Sequence, residues 1–90
     1  MSTFQVPPPK AVELNDASSA AANWKKFIKQ WKNFELATGL AEKPANIRLA
    51  TFMSVIGEEG QEKYESFTFQ AEKDEEDINV VINKFEESCN

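Results

Sequence analysis

Two concentrations of charge are the places where this sequence could do chemistry: four lysines at 25, 26, 29 and 32, and an acidic run from Glu72 to Asp77. On a helix, Lys25, Lys29 and Lys32 share one face with Lys26 to one side, a pattern that suits anion binding or a contact in an assembly. The same pattern is what any surface helix needs opposite an apolar face. The acidic run could offer paired carboxylates for acid–base work or Mg²⁺, but no phosphate-loop pattern accompanies it. Its simpler role is a solvated helix start, with negative charge at the positive end of the helix dipole. The stretch Gly57-Glu-Glu-Gly60 is too short and too acidic to cradle phosphates.

The chain has no histidine and one cysteine, Cys89. Without histidine there is no ordinary proton shuttle near neutral pH and no Ser-His or Cys-His pair, so no catalytic residue is expected. A zinc site would need carboxylates almost alone, and a single thiol cannot close an internal disulfide, so neither metal nor cofactor is expected. The net charge of −5 opposes a general nucleic-acid-binding role. No apolar run approaches the roughly 20 residues that span a bilayer, and no basic-then-apolar leader opens the chain. The expected compartment is the cytosol.

Ninety residues suffice for one domain, which buries roughly 60 to 65% of its unfolded surface. Residues 1–18 read as an extended arm, because Pro7, Pro8 and Pro9 fix φ and lack backbone donors. Phe4, Val6, Val12 and Leu14 are its apolar handles, suited to pinning it onto the helices or to meeting a partner. Asn15, Asp16, Ser18 and Ser19 offer N-cap oxygens, which places the first helix from about Ser18 to Thr38, with a left-handed Gly39 ending it. Pro44 suits the first turn of a second helix, in which Ile47, Ala50, Met53 and Val55 or Ile56 continue the pattern while Leu49 and Phe52 widen it. Gly57 is expected to end that helix.

A short third helix is expected from Glu58 or Glu59 to about Phe67, although Phe67-Thr68-Phe69 also reads as a brief extended piece. Asp74 suits the N-cap of a fourth helix, along which Ile78, Val81, Ile82, Phe85 and Cys89 form one apolar face. The fold class is therefore all-α: a compact bundle of about four helices over residues 19–90, with an extended proline-rich N-terminal arm.

The first helix carries an unusually heavy apolar stripe, Trp24, Phe27, Ile28, Trp31 and Phe34. Each aromatic removes about 150–250 Å² from water on burial, so most of the stripe should be core. Five large side chains also leave room for a residual groove beside the second helix, covered by the arm or by a visiting peptide.

The string Asn23-Trp24-x-x-Phe27-x-x-x-Trp31-x-x-Phe34-x-x-Ala37-Thr38-Gly39-Leu40 resembles the start of the capsid region of Gag polyproteins from gypsy-type LTR retrotransposons. Arg48-Leu49-Ala50-Thr51-Phe52-Met53-x-x-Ile56-Gly57 is similar to that family's second helix, and Val81-x-x-x-Phe85-x-x-x-Cys89-Asn90 to the end of its N-terminal lobe. The resemblance covers roughly residues 14 to 90. It implies a non-enzymatic lobe that packs against copies of itself in a capsid-like shell and leaves RNA to other parts of Gag. It further implies an excised domain or a shortened, host-adopted relative, since neither a second lobe nor a Cys/His zinc knuckle is present.

Host-adopted members include a lobe that binds short peptides in an apolar groove. By position, Phe27 and Phe34 would line such a groove, with Ser54 and Ile56 opposite. At these last two positions small and aliphatic residues replace more polar ones, which implies a different peptide specificity. Lys25, Lys29 and Lys32 form the candidate assembly or anion face.

Overall fold

Apolar residues at intervals of three and four make one side of a helix water-averse, and the described residues form four α-helices. The structure is a computed structural model that describes residues 7–69 and 76–89, excluding the Cys89 side chain. Helix α1 spans Ala20–Thr38, α2 Ala45–Val55, α3 Gly57–Glu65 and α4 Ile78–Cys89, with a 3-10 turn at Leu40–Glu42 between the first two. Among the described residues there is no strand. Phe4, Val6, the proposed cap Asp74 and the Cys89 thiol lie outside what is described.

The start of α1 is built by Asp16 rather than by a capping serine. Its backbone carbonyl accepts the N–H groups of Ser19 and Ala20 at 3.1 and 2.9 Å. Its carboxylate accepts the Ser18 N–H at 3.0 Å and the Ser18 hydroxyl at 2.7 Å. These bonds, the hydroxyl's first, hold the Asp16 carboxyl below its ordinary value of 3.8. The turn occupies the residues expected to begin the helix, which therefore starts at Ala20. At the other end Gly39 has φ 79° and stops the helix as expected.

Pro44 sits just before α2, where its carbonyl accepts the N–H groups of Ile47 and Arg48. Within α2 the buried face includes Met53, Val55 and Ile56 as expected, but its first turns depart from the expectation. Phe52 and Ile56 are wholly buried with Leu49 and Val55 beside them, while Ile47 is 46% exposed and Ala50 faces outward. The larger apolar area of Phe52 decides which side of the helix turns inward.

Gly57, with φ 81°, breaks the chain between α2 and α3, so the two helices follow one another almost without a connector. A side chain here would also collide with Ala11 of the arm. Phe67, Thr68 and Phe69 leave α3 in an irregular stretch, so the helix ends two residues short of the expected Phe67. Asp77, next to the first residue of α4, accepts the Asn79 N–H on its carboxylate at 2.9 Å, the bond of an N-cap.

Phe52 is the hub of the core. Its ring meets Trp24, Phe27, Trp31 and Phe85 edge-on at centroid distances of 5.2 to 6.5 Å. Trp24 stacks on Phe85 at 4.9 Å, which joins α1 to α4. These are the favoured aromatic geometries, worth about 0.5–1.5 kcal/mol per pair beyond area burial. The indole N–H groups of Trp24 and Trp31 are buried with no acceptor among the described residues.

Candidate functional site

The arm lies on the bundle and helps to complete it. Val12 and Leu14 are buried with the core, 4% and 8% exposed. The Val12 N–H donates to the Ile56 carbonyl at 3.2 Å. Two residues on, the N–H groups of Leu14 and Asn15 converge on one carboxylate oxygen of Glu59, at 2.7 and 2.9 Å. From the other side the Asn23 side-chain amide of α1 donates to the Glu13 carbonyl at 2.9 Å. The arm's alternation follows: Val12 and Leu14 point inward, while Ala11, Glu13 and Asn15 face out.

Two shallow grooves remain between the arm and α1. One, of about 230 Å³, runs between Lys10–Glu13 and Asn23, Lys26, Phe27 and Gln30. The second, of about 310 Å³, lies between Pro7–Lys10 and Gln30, Asn33 and Phe34. Both offer mixed polar and apolar walls.

The four proposed groove residues are not brought together as one open surface. Phe27 is 3% exposed and forms the floor of the first groove; Phe34, half-buried, lines the second. Ile56 is a core residue whose carbonyl is already taken by the arm. Ser54 is exposed, lines neither groove, and donates its hydroxyl to the Ala50 carbonyl of its own helix at 2.9 Å. The space opposite Phe27 thus holds Val12, a residue of the chain's own arm.

Comparison with family models, curated proteins and solved structures gives no match.

The three lysines of the candidate assembly face, Lys25, Lys29 and Lys32, are all exposed and make no ion pair among the described residues. Leu36, one turn further along the same face, is 75% exposed. Among the described residues no group of three or more potential metal ligands forms. No described helix is long and apolar enough to cross a membrane.

Two polar residues escaped the reading of the sequence. Glu35 is only 5% exposed and takes both arms of Arg48, Nε at 2.7 Å and Nη2 at 3.2 Å. This two-pronged bond ties α1 to α2 and raises the already high pKa of Arg48, the bond itself being the main cause. Its signal was present: Glu35 continues the 24–28–31 spacing of the buried stripe, and Arg48 is the chain's single arginine. Glu59, which receives the arm, sits within an acidic cluster and carries no distinguishing local pattern.

Proposed function

We propose that this chain is a non-enzymatic, self-associating structural module of the Gag-capsid kind, working in the cytoplasm through contacts between copies. It binds no nucleic acid directly. Support comes from the Gag-like motif order and from the helical bundle in which those motifs form the core. The observation that carries the reading is the exposure of Leu36 and Ile47, 75% and 46%, outside a core that has absorbed the other large aliphatic residues of α1 and α2 wholly or in part. Apolar side chains left outside such a core are what a contact between copies would cover.

Sedimentation velocity over a wide concentration range is the test. The weight-average sedimentation coefficient should rise with concentration, and Leu36→Glu with Ile47→Glu should flatten that rise. A wild-type chain that sediments as a monomer at every concentration and salt level overturns the reading.

A second reading, a peptide-binding adaptor, is favoured by one specific observation: the docked arm. An extended segment that buries alternate residues and donates its N–H groups to Ile56 and Glu59 lies where a visiting peptide would bind. A labelled peptide of residues 7–15, added to a chain lacking them, should show saturable anisotropy and raise its melting temperature. No binding to a truncated chain that remains helical rejects the adaptor reading.

A further inference from the structure

We propose that the lysine face of α1 docks on the outward face of α3 of a second copy, so that identical chains join head to tail. The inference rests on the self-association reading and names its two surfaces. On α1, Lys25, Lys29 and Lys32 stand at intervals of four and three. On α3, Glu58, Glu62 and Glu65 stand at the same intervals. At about 1.5 Å rise per residue, both triplets place their charges at 0, ~6 and ~10.5 Å along the axis, within one 60° arc of the helix. Aligned in parallel, each lysine meets a glutamate. All six side chains are exposed, and none has an ion-pair partner among the described residues.

The surroundings favour a contact over two independently solvated faces. Leu36 extends the lysine row by one more step of four, so the most exposed large apolar side chain of the described residues lies on the same stripe as the cations. In the parallel register it falls just beyond the end of α3, beside the half-buried Phe67 and Phe69. Row and apolar anchor therefore match in order as well as in sign.

The two faces also lie on different parts of the bundle. Helix α1 packs on α4, on the 3-10 turn and, through Phe52 and Arg48, on α2, whereas α3 packs on α2 and α4. A contact that uses one face from each copy leaves a free face on both, so it closes into a ring or continues as a filament. The acidic excess of the whole chain opposes indiscriminate clustering and leaves the lysine row as the local exception.

The experiment is charge exchange at constant fold. Three variants are compared with wild type by sedimentation velocity at low and high salt, with helicity checked by circular dichroism. They are Lys25→Glu/Lys29→Glu/Lys32→Glu, Glu58→Lys/Glu62→Lys/Glu65→Lys, and the six-fold exchange, which keeps the net charge at −5. Each triple variant should self-associate roughly tenfold or more weakly than wild type, and high salt should weaken the wild type similarly. The six-fold exchange should restore association, as should mixing the two triple variants. If wild type associates but the triples associate equally well, or the six-fold exchange does not recover, the pairing is overturned and self-association stands by other surfaces. If wild type is monomeric throughout, both fall.

Discussion

Removing Arg48 as Arg48→Met keeps most of the side chain's volume but strands the carboxylate of Glu35, which is 5% exposed between α1 and α2. Deleting one partner of a fully buried ion pair costs about 3–5 kcal/mol, because the other charge is left without compensation. The Glu35 side chain is 7% exposed but that of Arg48 is 23%, so water can reach part of the site and about 2–3 kcal/mol is expected here. A chain of this size has a stability of only about 5–13 kcal/mol. At roughly 4–8 °C per kcal/mol, melting should fall by about 10–20 °C. Urea and thermal unfolding at neutral pH, followed by circular dichroism, measure this. The double variant Glu35→Met/Arg48→Met removes both charges and should recover to within about 1 kcal/mol of wild type. A single variant within about 0.5 kcal/mol of wild type, or a double variant as damaged as the single, would refute the reasoning.

Phe52→Ala should cost about 3–5 kcal/mol in urea unfolding, since it empties the position that four aromatic rings share. Gly57→Ala should be more damaging than Gly39→Ala in the same assay. Both sites have positive φ, worth about 1–2 kcal/mol for a side chain, but only at Gly57 does the new methyl strike the arm; at Gly39 it meets nothing. The depressed Asp16 carboxyl stabilises the start of α1 above its unfolded value of 3.8, and that contribution is lost as pH falls from there through its lower folded value. Amide chemical shifts at Ser18 and Ser19 should therefore titrate below pH 3.8 in wild type, and Asp16→Asn should abolish this step.

The helices could be read from the sequence because their causes are local. Trp24, Ile28 and Trp31 recur with the helical period, Gly39 supplies the stop, and Ile78, Val81 and Phe85 form one face, so each element announces itself within a few turns. What could not be read depends on residues distant in sequence. The buried side of α2 was decided by competition between Phe52 and the Ile47–Ala50 edge for a place against α1 and α4, with Met53 at the border. The pairing of Glu35 with Arg48 needed the crossing of two helices. Glu59 as the acceptor for the arm required knowing that residues 14 and 59 meet. The groove proposed from Phe27, Phe34, Ser54 and Ile56 failed to form as one surface for the same reason: position along a helix does not say what else the chain lays over it.

The bonds from Leu14 and Asn15 to Glu59 join residues 45 and 44 positions apart. Among the helix contacts of the described residues, only the packing of α1 on α4, as in the stack of Trp24 on Phe85, closes a longer loop, so the arm's attachment to α3 is one of the long-range closures of the fold. Among the described residues the arm is joined to the bundle by four hydrogen bonds and the side chains of Val12 and Leu14, and its departure would uncover Ile56. A protease or a competing chain would meet the protein first in that opened form. The inner face is thus guarded by the chain's own first residues, and what reaches it must first displace Val12 and Leu14.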